Sequence, residues 1–324
     1  MDNVEISFRG AIREAMSDAM TKDDNIVLLG EDIGLYGGAF GVTKGLFRTF
    51  GPQRVIDTPM SEAATLGLAT GAALMGMHPI VEIMFMDFIT LIMDQLLNHA
   101  TKYPLIYGNQ AKVPLIIRVP SGGWRAYGAT HSQSLEAWLL HIPGLIVATP
   151  STPSDAYGLM TYALQSDKTV VFVEHKLLYN VRSVMKKNVV PFGKAEVRRF
   201  GKDITLVAYS FLITKALEIA EELSIKGIDI EVIDPRTLVP LDITTLCESA
   251  AKTGRVLLVE EGTKTGGVCA EIAFQIQEKT FFKLKKSIIR VAAEDSAIPC
   301  APDLESKILP SKEKIIEAVY QLIS

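Results

Sequence analysis

An α/β fold of two domains with mostly parallel sheets is predicted by three features of this sequence. Short β-branched runs alternate with longer helical patterns from end to end, as in strands joined by crossover helices. The chain has 324 residues, too many for one ordinary domain and enough for two cores. Between 181 and 199 the rhythm breaks at Lys186, Lys187, Asn188 and Pro191, which reads as a connection. The expected organisation is a first domain over 1–185, a linker over 186–200 and a second domain over 201–324.

In the first half the spacing predicts strands at 26–29, 80–85, 113–118, 145–148 and 170–173, with helical patterns between them such as 155–165. The second half predicts strands at 204–209, 228–233 and 256–259, and helices at 214–224, 243–251 and 268–279. Such units form parallel sheets with right-handed crossovers, whose binding crevices lie at the carboxyl ends of the strands.

Composition narrows the class. Hydrophobic residues make up 48% of the chain and the mean hydropathy is +0.24, which suits either membrane spans or a large subunit interface. The longest apolar stretches are interrupted, the first by Gly67, Gly71 and Gly76, the second by Glu82, Asp87 and Asp94. None approaches the ~20 residues needed to cross a bilayer, so a soluble oligomer is expected. The start, Met1 to Glu5, shows no basic region followed by an apolar core, so no secretory signal is read and a cytoplasmic location is expected, or an organelle matrix if a transit peptide was removed. Cys247, Cys269 and Cys300 are scattered and form no CxxC pair. A net charge of −4 with mixed signs gives no footprint for nucleic acid.

Chemistry concentrates in three segments. The first is Asp57-Thr58-Pro59-Met60-Ser61-Glu62-Ala63-Ala64, ahead of a helix rich in glycine and alanine. Thr58 or Ser61 is expected to cap this helix, with Pro59 in its first turn. Gly67 with Gly71 and Ala69 with Ala73 leave one face nearly bare, so a helix or ligand is expected to approach closely. Glu62 opens the helix beside an apolar surface, where a carboxylate can hold or pass a proton; from this segment alone, a glutamate that merely favours the positive end of the helix dipole is the more common case. The second segment, 79–88, reads as a strand that delivers Phe85 and Phe88 to its carboxyl end, as core residues or as a stacking surface for a planar ligand. The third, 120–133, follows a strand with three glycines and His131, which suits a functional loop. An acid–base role for His131 and a plain hydrogen bond within the loop both fit the residues.

Together and in this order, these segments resemble the β subunit of the thiamine-diphosphate-dependent first component of 2-oxo acid dehydrogenase complexes, a family that includes pyruvate, branched-chain 2-oxo acid and acetoin dehydrogenases. The resemblance covers essentially the whole chain. It extends to Gly30-Glu31-Asp32, Val42-Thr43-Lys44-Gly45, His141-Ile142-Pro143-Gly144 and Asp234-Pro235-Arg236-Thr237. It implies a pyrimidine-binding domain followed by a transketolase C-terminal-like domain. Glu62 matches the glutamate that bonds N1′ of the aminopyrimidine, Phe88 the aromatic packed against that ring, and His131 the histidine facing the thiazolium and substrate. Glu31 matches a position lining a polar path near the site. The implied activity is an oxidoreductase acting on oxo donors, in which the cofactor is activated through N1′ and an acyl group passes to a lipoyl carrier while His131 shuttles protons.

Relatives of this kind hold magnesium and the diphosphate through a Gly-Asp-Gly motif followed by Asn, and this sequence contains no Gly-Asp-Gly. The resemblance therefore implies an α subunit holding magnesium and sharing thiamine diphosphate, in a complex of two α and two β chains. A lipoyl acyltransferase core is the further implied partner, and a 2-oxo acid or acetoin the small-molecule substrate. No metal is assigned to this chain: Ser166 and Lys168 stand where some relatives place potassium-binding side chains. Ala64 and Thr130 also depart from the family pattern. Glu294, Asp295, Asp303 and Glu305 are candidate acidic contacts for docking the acyltransferase core, and each taken singly also reads as part of a solvated charged face. Half of a split transketolase and a non-catalytic structural subunit are the alternative readings.

Overall fold

The computed structural model describes residues 5–324; most of the start read above, residues 1–4, lies outside the described residues. A short strand β1 (Glu5–Ser7) runs into α1 (Phe8–Met20), whose N-cap Ser7 accepts a hydrogen bond from the Gly10 N–H at 3.2 Å. Phe8, Ala11, Ile12, Ala15, Met16 and Met20 recur at helical spacing and are all buried, and α1 packs against α6 (Pro153–Leu164). There Thr152 caps the Asp155 N–H and Pro153 takes the first turn, where no backbone donor is missed.

The chain divides into two compact units. The first takes the residues up to Ser121 together with Trp138–Phe192. Its strands are β2 (Ile26–Gly30), β3 (Val55–Asp57), β4 (His78–Glu82), β5 (Leu115–Ser121), β6 (Ile146–Ala148) and β7 (Thr169–His175). They are all parallel, in the order β6-β7-β5-β4-β2-β3. Between them lie α2 (Leu46–Phe50), α3 (Glu62–Leu74), a 3-10 turn (Met86–Ile92), a π-helical turn (Gln95–Ala100), α4 (Tyr103–Ile106) and the end of α5 (Glu136–Leu140), whose first two residues count with the second unit. β8 (Arg182–Val184) pairs antiparallel with β1. The expected strands are all present, though the second ends at Glu82 rather than 85.

The second unit takes Gly122–Ala137 and Gly193–Ser324. Its elements are β9 (Glu196–Arg199), β10 (Ile204–Ala208), α7 (Leu212–Ser224), β11 (Ile230–Asp234), β12 (Thr237–Val239), α8 (Ile243–Thr253), β13 (Val256–Thr263), α9 (Val268–Thr280), β14 (Ile289–Ala293), α10 (Pro302–Ile308) and α11 (Lys312–Ile323). The sheet order is β14-β13-β10-β11-β9, parallel except for the edge strand β9. Residues 196–199, expected as part of a linker, thus supply that edge. Ile204, Leu206, Ile219, Leu223, Val232, Leu257 and Val319 build this unit's core.

Each unit buries charge at the carboxyl edge of its sheet. In the first, Arg118 is 1% exposed and is held between two strands: Nε and Nη2 donate to Glu174 at 2.7 Å each, and Nη1 donates to Glu82. Tyr179 donates to the same Glu174 at 2.8 Å. Burial alone would lower the guanidinium, yet Glu174 and Glu82 hold it above its usual range. Burial raises Glu82 in spite of Arg118. In the second unit Glu136, Glu260 and Tyr209 are buried close enough to interact electrostatically, and Glu136 Oε2, Glu260 Oε2 and the Tyr209 hydroxyl have no hydrogen-bond partner among the described residues. Desolvation pushes Glu136 up to about 8, with Glu261 and Glu260 adding to the rise. It pushes Glu260 up to about 7 against the pull of the Cys269 N–H.

Two outcomes are expected. Glu174→Gln leaves Arg118 without its bidentate partner, and stability to denaturant should fall by about 3–5 kcal/mol; a fall under about 1 kcal/mol would mean the pair behaves as an exposed one. Between its ordinary 4.5 and about 8, a folded Glu136 keeps the proton that the unfolded chain releases, so its contribution to stability is lost as pH rises through that window. Glu136→Gln should therefore flatten the alkaline decline, which thermal unfolding at pH 5 and pH 8.5 reads. Equal midpoint shifts at the two pH values would rule this out.

Candidate functional site

In the first unit β2 is followed by β3 on one side and then by β4 on the other. That reversal opens a crevice beyond the carboxyl ends of β2 and β4, the standard place for a ligand in an open parallel sheet. Glu31 follows β2 directly, and Glu62 opens α3 just after β3. Phe88 lies in the 3-10 turn after β4, a turn against which α3 packs.

The turn after β2 is tightly specified. Asp32 adopts φ 54°, its carbonyl accepts from the Gly38 N–H at 2.8 Å, and the Gly34 N–H donates to Asp57 Oδ1 at 2.7 Å. The Thr58 N–H donates to the Gly30 carbonyl at 2.9 Å, fixing the approach to α3. Glu31 is raised from its usual range by desolvation first, then by the charges of Glu62 and Asp32. Glu31 and Glu62 are therefore electrostatic neighbours, one at a loop and the other at a helix start.

Helix α3 begins differently from expectation. Ser61 is its N-cap residue but its side chain makes no capping bond, and Pro59 stands ahead of the helix rather than in its first turn. Thr58 is tied to β2 through its backbone and does not cap α3. The first-turn N–H groups thus have no hydroxyl placed over them, while the acidic residue of that turn is Glu62. Of the two small-residue rows, Ala69 and Ala73 pack inward, whereas a Cβ placed on Gly71 would meet nothing within 4 Å. Met60, Leu68 and Met75 are exposed nearby.

Phe88 is half-buried, and its ring meets Phe85 edge-on at 6.1 Å. Phe85 in turn meets Phe40 at 5.6 Å and lies under the Lys176 ammonium at 5.2 Å. Lys176 is 1% exposed and follows β7, so aromatic rings and a buried cation line this edge of the sheet.

His131 belongs to the second unit, on the segment 122–137. Its N–H donates to the Gly128 carbonyl at 3.3 Å, and Nδ1 lies 3.0 Å from the Thr130 hydroxyl. The loop before it takes several left-handed conformations: Gly122 (φ 92°), Trp124 (φ 64°), Ala126 (φ 56°) and Gly128 (φ 79°). Only glycine adopts these freely, so Trp124 and Ala126 are held there by their surroundings.

Several polar residues were not singled out by sequence reasoning: Arg118, Glu174 and Tyr179 in the first unit, and Glu261 in the second. For Glu174 and Glu261 the signal was a charged residue toward the end of an otherwise apolar parallel strand, as in Val170-Val171-Phe172-Val173-Glu174. The expected acidic docking face is corrected in part. Glu305 is 3% exposed and accepts from the Ala126 N–H at 3.1 Å. Asp295 is engaged by Thr265, and Glu294 by Lys314 at 2.7 Å. Among the described residues no cluster of three or more His, Cys, Asp or Glu side chains is arranged to hold a metal ion, and no helix is long and apolar enough to cross a membrane.

Residues 4–182 match the family described as transketolase, pyrimidine binding domain, and residues 193–315 match the transketolase C-terminal domain. The chain is 40% identical to the pyruvate dehydrogenase E1 component subunit beta of Rhizobium meliloti, over 97% of this chain and 69% of that one. It is 40% identical to the acetoin:2,6-dichlorophenolindophenol oxidoreductase subunit beta of Cupriavidus necator, over 97% and 96%. It is also 40% identical to the 2-oxoisovalerate dehydrogenase subunit beta of Bacillus subtilis, over 98% of each. Among solved structures, a split-gene transketolase described as an inactive beta4 tetramer superposes with a TM-score of 0.80 at 23% identity, over 98% of each chain, a likeness of fold. The chain belongs to the family of 2-oxo acid and acetoin dehydrogenase β subunits, built from a transketolase pyrimidine-binding domain and a transketolase C-terminal domain.

Proposed function

We propose that this chain is the β half of a thiamine-diphosphate-dependent 2-oxo acid or acetoin dehydrogenase that works with an α subunit and delivers an acyl group to a lipoyl carrier. The observation that carries the reading is Glu62, placed at the start of α3 by the switch-point crevice and next to the raised Glu31. This pair suits the pyrimidine half of the cofactor: a carboxyl group to meet a ring nitrogen, and a half-buried phenylalanine, Phe88, to meet the ring face. When bound, thiamine diphosphate supplies the carbanion chemistry.

The residues of this chain orient and move protons. Glu62 holds a proton at N1′ of the aminopyrimidine, and Glu31, which retains its own proton to higher pH than an ordinary glutamate, exchanges with it along a short polar path. Phe88 packs on the ring and fixes its plane. His131 gives and takes protons at the substrate oxygen as the acyl group is passed on. The domain assignment that goes with this reading is 1–185 for the pyrimidine-binding domain, 186–200 for the connection and 201–324 for the C-terminal domain, with β9 at the end of the connection joining the second sheet.

The absence of Gly-Asp-Gly from the sequence supports assigning magnesium and the diphosphate contacts to the α subunit. So does the exposed apolar edge of α3 at Leu68, Gly71 and Met75, a surface suited to another chain. The relatives named as pyruvate, acetoin and 2-oxoisovalerate dehydrogenase subunits favour the dehydrogenase over a transketolase half.

With the α subunit added, Glu62→Gln should lower turnover by about a hundredfold or more, as loss of a general acid does; full activity of this variant would sink the assignment. The purified chain alone should show no thiamine-dependent turnover, and robust activity without a partner would overturn the split site. Running the reconstituted pair on pyruvate, a branched-chain 2-oxo acid and acetoin identifies the substrate.

A further inference from the structure

The second unit has its own switch point. β10 is followed by β11 on one side and β13 on the other, so a crevice opens beyond the carboxyl ends of β10 and β13. Glu260 and Glu261 stand in β13 at that edge, and Tyr209 and Ser210 follow β10. The segment 122–137 occupies this place. Glu261 is 5% exposed and accepts twice from it: from the Gly123 N–H at 2.5 Å and from the Trp124 indole N–H at 3.1 Å. Glu305, on α10, accepts from the Ala126 N–H. A Cβ on Gly123 would stand 2.7 Å from Leu309 Cδ1, so the loop backbone lies close against that side chain. The Trp124 ring packs on Ala293, Ile298 and Leu309 and carries the Lys215 ammonium 3.2 Å from its centroid.

Two buried carboxylates thus accept from three donors of a loop whose Trp124 and Ala126 sit in left-handed backbone conformations. A strained loop persists only where its surroundings over-determine it. Charge-assisted bonds to backbone N–H groups are the strongest restraint available here. Five residues beyond Ala126 the same loop presents His131.

We propose that Glu261 and Glu305 are positioning residues that lock the loop 122–131 in one conformation and thereby set where the His131 imidazole is presented. The claim rests on the reading of His131 as a proton carrier given above. Neither glutamate touches the reacting atoms; each acts through the loop.

The test uses the reconstituted α/β enzyme and compares Glu261→Ala, Glu261→Gln, Trp124→Phe, His131→Ala and the double variant Glu261→Ala with His131→Ala. Glu261→Ala should lower kcat by roughly tenfold to a hundredfold through misplacement of a catalytic group, with KM little changed and faster amide exchange over 122–131. Glu261→Gln should recover most of the rate, since its amide oxygen still accepts from Gly123. Trp124→Phe, which deletes one donor and keeps the packing, should show a smaller loss in the same direction, and serves if Glu261→Ala does not assemble. The double variant should be no slower than His131→Ala alone. Losses that multiply, or amide exchange unchanged in both Glu261→Ala and Trp124→Phe, overturn the proposal. Full activity of His131→Ala would instead defeat the catalytic reading of that histidine, while the exchange measurement would still decide whether Glu261 holds the loop.

Discussion

Arg118 between Glu82 and Glu174 is the interaction on which the first sheet depends. Parallel strands buried on both faces offer no solvent for a charge, so a charged side chain at a carboxyl edge must find its partner on a neighbouring strand. Register supplies it: Arg118 stands beside Glu82 in the β4–β5 ladder, and Glu174 is two positions beyond its opposite number in β7. A slip of one residue would send Arg118 to the other face and strand both carboxylates. The cluster thus specifies register across β4, β5 and β7, and it ties the edge that carries the candidate site to the strands that form the core.

The two units solve the same problem by different chemistry. The first neutralises its buried carboxylates with a guanidinium and a phenol. The second has no buried arginine within hydrogen-bond range of Glu136 among the described residues, and desolvation instead keeps Glu136 and Glu260 protonated toward neutrality. Glu261 and Glu305 take a third route and accept from backbone N–H groups of a loop. A carboxylate satisfied by backbone donors fixes main-chain geometry directly, which a side-chain ion pair cannot do. Carboxylates placed at a switch point are therefore suited to holding a loop as much as to binding a ligand.

The alternation of β-branched runs and helical patterns made the parallel sheets legible, because that signal depends only on local periodicity. The helix after Ser61 was also legible, but its cap was not. Thr58, Pro59 and Ser61 have the right identities for capping, yet the bond from the Thr58 N–H to the Gly30 carbonyl commits the chain to β2 first. Tertiary contact overrode a local preference. The edge strand β9 was hidden by the lysines and proline before it, since an edge needs little hydrophobicity to pair. Glu305 read as a surface acid because α10 is short and charged, and only the fold brings the Ala126 N–H to it. Long-range backbone acceptors of this kind leave no periodic trace. Glu62 and His131 stood out as candidates because each sits in a dense local motif, while Glu261 lies 138 positions from the amide it holds.

Glu31 and Glu62 stand at the first sheet's edge without the guanidinium that Glu82 and Glu174 share. Glu82 and Glu174 have Arg118; Glu31 has desolvation and two further acids, Glu62 and Asp32, all of which raise it. A stability-driven arrangement would place a cation here, as it does a few strands away. Glu31 therefore keeps its proton to higher pH than an ordinary glutamate, with desolvation as the first cause. A carboxyl raised by neighbouring acids beside a crevice does nothing to pack the sheet edge, and it is the observation on which the role proposed for Glu31 and Glu62 rests.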